Sequence, residues 1–301
     1  MALTNTSTAA GGLGRTIGDA VIAFNHVNVM LPLVTVKQAN PGTNHVQFSD
    51  WTRLTSANVT DATEGTDTTA VAIATAARTA TVAEHVIEAD ITDIVDMGSG
   101  DDLTGNAGPA LGNAVAAKLD DDLVELGKSF SQTEAGANTT LAMSHLFGSM
   151  RQLRAAGAPM PYNLVLSPKQ VWGDKGLQGL LHNSALDTPG TSTTDTSTAR
   201  PVGLMGTKGE ELFSVGYVTS IAGFNVYWSD QIDEDVASGG DAAGFAFSKG
   251  AIGLGVGSKG LFRIETDRDI SARVTEYVAV GFWGEIEIKD SYGVYILSDV
   301  S

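Results

Sequence analysis

Hydrophobic residues fall into distinct patterns along the chain, and the clearest is helical. Leu111, Val115, Leu119, Leu123, Leu126 and Phe130 recur at intervals of four or three, which places them in one stripe of a helix over residues 108 to 130. Pro109 stands near the expected first turn, where its missing N–H costs nothing. Asp120, Asp121, Asp122 and Glu125 occupy mainly the other side, and at ~1.5 Å per residue the helix is a rod roughly 30 to 35 Å long. A second helix is predicted over residues 140 to 155, carrying Leu141, Leu146, Met150 and Leu153 and ending at Gly157 and Pro159.

A period of two marks the far end of the chain. Val274, Val278, Val280, Phe282, Ile286 and Ile288 fall on even positions, while Arg273, Thr275, Glu285, Glu287 and Lys289 alternate with them. This predicts one or two strands spanning up to roughly 50 Å, with the even-numbered side chains forming the apolar face. Tyr162 to Leu166 reads as a buried strand, Ser167-Pro168 as a helix start and 171 to 181 as a short helix. Further strands are expected at 224–229 and 244–247. Segments 34–37 and 45–51 read as a hairpin about the Pro41-Gly42-Thr43-Asn44 turn.

Other stretches lack the apolar residues to build a core. Residues 1 to 30, with Gly11, Gly12 and Gly14 before Val21, Ile22 and Phe24, suit an arm that docks on something else. From Thr52 to Val86 the composition shifts to Thr and Ala, which fits either a disordered insertion or an extended arm ordered by a neighbouring subunit; the arm is favoured. Residues 188–201 read as a surface loop. A long helix beside long strands describes an elongated body, whose uncovered apolar edges a closed assembly would bury.

Composition narrows the function. A net charge of −17 with only 18 basic residues argues against a conventional nucleic-acid binder. Without any Cys, neither disulfides, thiolate nucleophiles nor Cys-bound zinc are available. The 35 glycines follow no collagen period and indicate many turns and close backbone approaches. No leader-like apolar region or membrane span is evident, so a soluble, unsecreted protein is expected.

Candidate chemistry is sparse. Gly255-Val-Gly-Ser-Lys-Gly260 matches a dinucleotide-binding fingerprint in letters, yet Leu261 to Thr266 alternates like a strand where pyrophosphate binding needs a helix. His26, His45, His85, His145 and His182 are scattered without metal-ligand spacing. Asp90, Asp93 and Asp96, and separately Asp230, Asp233, Glu234 and Asp235, could compose weak cation sites but fit solvated loop acids better. No nucleophile elbow or phosphate loop occurs. The expectation is no catalytic, cofactor-binding or metal residues, no cofactor, and no enzymatic activity.

The order of these segments resembles the major capsid proteins of tailed double-stranded-DNA bacteriophages, which share the Hong Kong phage capsid fold. The likeness runs nearly end to end. The Thr/Ala stretch with Glu64-Gly-Thr and Thr79 to Val86 looks like the family's extended loop, and Pro109 to Phe130 like its spine helix. Pro161-Tyr-Asn-Leu-Val-Leu-Ser-Pro168, Ile221 to Ser229, and Phe262 to Asp269 running into Tyr292 to Leu297 look like axial-domain and peripheral-domain signatures. The resemblance implies an α+β fold divided into an N-terminal arm (1–30), an extended β loop (31–87), a peripheral part with the spine helix (88–135), an axial domain (136–258), long peripheral strands (259–290) and a strand returning to the axial domain (291–301). It implies pentamers and hexamers of this chain closing an icosahedral capsid in the virion, assembled in the cytoplasm of a bacterial host. Expected partners are further copies, a portal protein, a separate scaffolding protein, a possible decoration protein and packaged DNA held without sequence preference, with no membrane involved. The alternatives are the shell protein of a bacterial nanocompartment and a phage tail structural protein; an acidic hydrolase is a more distant one.

Overall fold

The computed structural model describes residues 28–98, 103–173, 175–177, 217–236 and 239–300. The expected arm, apart from its last three residues, and the loop at 188–201 lie outside them, as do His26 and His182. In chain order the elements are β1 (Thr35–Gln38), β2 (His45–Trp51), β3 (Thr75–Thr81), β4 (Ala83–Thr92), α1 (Asp93–Gly98), α2 (Leu103–Lys128), β5 (Thr133–Thr140), α3 (Met143–Ala156), β6 (Tyr162–Leu166), α4 (Pro168–Trp172), β7 (Tyr217–Ile221), β8 (Phe224–Trp228), β9 (Asp241–Ser248), β10 (Ile252–Val256), β11 (Phe262–Asp269), β12 (Val274–Glu287) and β13 (Gly293–Asp299).

The described residues form an α+β fold with two main sheets and a separate hairpin. One sheet is built on β12, whose 14 residues extend about 46 Å at ~3.3 Å per residue. β4 and β11 pair antiparallel with its first part, and β10 with Ile286 and its neighbours, while β1 adds parallel to β10. The other sheet runs β5-β13-β9-β6-β8-β7. Helix α2, 26 residues or about 39 Å long, packs on the long sheet. Its stripe is buried as predicted at Leu111, Val115, Leu119 and Leu123, with Phe130 just beyond the helix, in one core with Tyr277, Ala279 and Trp283. A second core joins Leu146 and Leu153 of α3 to Tyr162, Leu164 and Leu166 of the fully buried β6. Gly157 ends α3 in the left-handed conformation at φ 72°, as its position after the apolar stripe predicts.

The local expectations need four corrections. Helix α2 begins at Leu103, so Pro109 lies inside it and not in its first turn. The Pro41–Asn44 turn forms, with Thr43 N–H donating to the Asn40 carbonyl, but the strands on either side do not pair with each other. β1 turns into the long sheet, and β2 pairs with β3, His45 opposite Thr81 and Trp51 opposite Thr75. Of the short helix expected over 171 to 181, the described residues hold one that starts earlier, at Pro168, and runs to Trp172, with the Ser167 side chain accepting from Gln170 N–H; residues 178–181 lie outside the described residues.

The fourth correction concerns the long strand. Its odd-numbered residues Tyr277, Ala279 and Trp283, not the even ones, face α2. Residues 277–283 are apolar on both faces, so branched side chains alone do not mark the face that meets the helix. On the side that meets α2, Ala279 is small and Gly281 leaves the room that the Trp283 ring fills, a Cβ there lying 2.0 Å from that ring. Ile286 and Ile288, farther along, pack beneath the β2–β3 hairpin.

Candidate assembly surface

The β2–β3 hairpin is pinned at its base and free beyond it. Val46, Phe48 and Ala80 pack with Ala39 and Ile288 in a small core of their own. Gly284 permits the contact with β12, because a Cβ there would lie 2.0 Å from the Thr81 carbonyl oxygen. Lys289 Nζ reaches Asp50 Oδ1 at 2.9 Å and the Trp51 carbonyl at 3.2 Å, and the Lys37 ammonium sits 5.0 Å from the centre of the Phe48 ring. The Thr/Ala stretch, expected not to build a core alone, contributes to one at Ala80, which is buried together with Val46, Phe48 and Ile288.

Past Trp51 the chain runs from 52 to 74 with one short turn of 3₁₀ helix at Ser56–Asn58 and no strand. Thr52 N–H donates to the Ala74 carbonyl at the neck. Beyond that the side chains are exposed, and several are large and apolar: Val59 is 78% accessible and Ile73 58%, with Leu54 and Val71 also open, and Trp51 at the end of β2 is 61% accessible.

A second apolar group lies at the distal end of the long sheet. Met97 of α1 is 84% accessible and Ile270, in the turn between β11 and β12, 83%; Ile94 and Val95 are exposed beside them. Asp93 ties α1 to that turn through Arg268 at 2.7 Å and through its N–H to the Arg273 carbonyl. In the sequence these residues are hard to see because the acids interleaved with them mask the apolar signal.

The outer face of the same strands is acidic. Glu88, Asp90 and Glu276 bring carboxylate oxygens within 4.8 Å of one another. Partial desolvation, and then repulsion from Asp90, Glu88, Asp267 and Asp269, push the Glu276 carboxyl above its ordinary range. Of the acids singled out by their spacing of three, Asp90 alone joins this group, since Asp93 pairs with Arg268. The second acidic run makes local bonds: Asp233 Oδ1 accepts from Asp235 N–H, Asp235 Oδ1 from Gly240 N–H, and Glu234 pairs with Lys169 at 3.0 Å.

The remaining candidates have structural partners. Gly257 and Gly260 belong to the turn from β10 to β11, so a strand follows the glycines and no helix N-terminus faces a phosphate. His45 Nδ1 meets Thr81 Oγ1 at 3.2 Å, and His145 Nδ1 accepts from Ala142 N–H. The His85 ring stacks on Trp283 with centroids 4.0 Å apart. These two rings, with Val86, Ile87, Ala114, Val115 and Lys118, line an open cleft of about 240 Å³ between β4 and α2. Its cation is engaged, Lys118 pairing with Asp122 at 2.6 Å and Asp121 at 3.3 Å, and the Trp283 indole N–H donates to Asp122.

Comparison with family models and with curated proteins returns no match. Solved structures are similar over nearly the whole chain. The capsid of Ralstonia phage GP4 superposes with a TM-score of 0.62 at 10% identity, covering 91% of this chain and 92% of that one. The capsid of cyanophage P-SCSP1u gives 0.60 at 16% identity, with 89% and 87% covered. The SrpI encapsulin of Synechococcus elongatus PCC 7942 gives 0.59 at 8% identity, with 90% and 88% covered. The fold is the Hong Kong phage capsid fold that the order of segments resembles.

Proposed function

We propose that this chain, having that fold, is the major capsid protein of a tailed double-stranded-DNA bacteriophage: a structural protein without enzymatic activity that assembles as pentamers and hexamers into an icosahedral shell around the genome. The observation that carries the reading is the arm between β2 and β3. It is anchored by Val46, Phe48, Ala80 and Lys289 and then presents Trp51, Leu54, Val59, Val71 and Ile73 to solvent, an arrangement that suits lying across a neighbouring copy. The likeness to the Ralstonia phage and cyanophage capsids supports the same reading.

The division proposed is an arm before residue 31, an extended loop to 87, a peripheral domain from 88–135 and 259–290, and an axial domain from 136–258 and 291–301. Portal, scaffolding and decoration proteins are the proposed partners, and the virion capsid, assembled in the host cytoplasm, the proposed location. With a charge of −17, the shell would hold DNA by enclosure and not by strong phosphate binding. The likeness to an encapsulin favours a second reading, a bacterial nanocompartment shell. Negative-stain microscopy of the purified chain tests both: shells or capsomers are expected, and a protein that stays monomeric at high concentration would refute them. Nuclease-protected DNA in particles from the native host separates the phage capsid from a compartment filled with protein.

A further inference from the structure

Asp120 breaks the pattern of its helix. Placed by its spacing mainly with the polar side of α2, it is only 3% accessible. Its carboxylate accepts two backbone N–H groups from the point where the described chain begins: Val29 to Oδ2 at 2.8 Å and Met30 to Oδ1 at 3.1 Å. Asn28 closes the same turn, its Oδ1 accepting from Leu31 N–H. The bonds join residues 90 and 91 positions apart in sequence, so this one side chain ties the root of the N-terminal segment to the middle of the spine helix.

No Lys or Arg pairs with Asp120 among the described residues. The root segment 28–31 brings no charge, and the surrounding core is apolar, with Met30, Ile232, Leu119 and Leu123. The connection after β8 contributes Asp230, whose charge repels it. On α2 itself, Asp121 and Asp122 turn to Lys118. An anion is thus buried against neutral donors with a like charge nearby, a costly arrangement that a proton relieves.

We propose that Asp120 is a proton-dependent clasp that holds residues 28–31 against the spine helix, closing more tightly in acid and easing towards neutrality. Burial, opposed by the two N–H bonds and helped by Asp230, pushes the carboxyl up to about 7. Once the root opens and water reaches the group, it returns to the ordinary carboxylate range near ~4. Because the closed form binds its proton more tightly than the open one, closure is favoured below ~4 and that advantage is lost as pH rises to about 7. Above that value both forms are ionised and the balance is level. The inference rests on the fold of a single chain and stands apart from the shell reading.

Hydrogen–deuterium exchange of the full chain, read by mass spectrometry on a peptide spanning Val29 and Met30 and corrected for intrinsic rates, tests it. Opening of the root should rise by up to ~10-fold per pH unit between pH 5 and 7 and level off between 7 and 9. Asp120→Asn, which cannot ionise, should remove the slope. Asp230→Asn should move the levelling point to lower pH, and it decides the matter should Asp120→Asn fail to fold. A peptide from buried β6 serves as a control that should not follow the profile. Exchange that is independent of pH in the wild type, an unchanged slope in Asp120→Asn, or a levelling point unmoved by Asp230→Asn would overturn the clasp.

Discussion

Replacing residues 54–73 by a short Gly/Ser linker removes the projecting arm while leaving its anchorage intact. Val46, Phe48, Ala80 and Ile288 still form the small core, Lys289 still reaches Asp50, and the β2–β3 register is unchanged. Within one chain the loss is small, because the side chains removed are the exposed ones. Shortening the connection changes its closure entropy by less than about 1 kcal/mol, which for a chain of this size moves the melting temperature by only ~2–4 °C. Between chains the loss is larger. Leu54, Val59, Val71 and Ile73 together leave uncovered the equivalent of roughly two whole side chains, and burial is worth about 1.5–3 kcal/mol for each. Assembly should therefore weaken by about 3–6 kcal/mol per subunit, on the order of 10²- to 10⁴-fold in each contact's equilibrium constant. Circular dichroism melts report the fold and sedimentation velocity the assembly. A native melt with capsomers or subunits in place of shells is expected. Shells of normal size and resistance to denaturant from the shortened chain would show that the arm makes no contact of consequence.

Two further substitutions test the cores that hold this surface in place. Leu119→Asp places an unpaired charge in the core between α2 and the long sheet and should destabilise the chain by several kcal/mol; an unchanged denaturant midpoint would refute the packing described for α2. Gln170 is fully buried, its amide donating to the Ala242 carbonyl and to Ser298 Oγ while its oxygen accepts from Ser167 N–H. Gln170→Ala strands these partners and should cost about 2–4 kcal/mol in chemical denaturation, against less than ~0.5 kcal/mol if the network contributes nothing.

Much of this architecture is legible in the sequence where one element buries one face. The four-and-three spacing from Leu111 to Phe130 identifies the spine helix because its apolar residues meet a single core. The run Tyr162 to Leu166 is equally plain, being buried on both faces. The long strand shows its length but not its orientation, since Val278, Val280 and Phe282 alternate with Tyr277, Ala279 and Trp283 and composition does not say which set meets the helix. Pairing of β1 with β10 is illegible for a different reason: Thr35 and Gly253 lie 218 positions apart, while the turn at Pro41 offers a local partner that tertiary packing overrides. Asp120 is hidden because a carboxylate among three in a row reads as solvated, and only the approach of residues 29 and 30 reveals what it holds. The arm could be suspected from its Thr and Ala content, but the anchors at its base depend on contacts with Gly284 and Lys289 that sequence spacing does not encode.

The most direct test of the shell reading is a cryo-electron microscopy reconstruction of the particles the purified chain forms. The account predicts a closed icosahedral lattice in which Trp51, Val59 and Ile73 lose their solvent exposure against an adjacent copy, while the β2–β3 base stays packed on its own chain at Phe48 and Ile288. A lattice in which the arm stands free in solvent, its apolar side chains touching no neighbour, would contradict it.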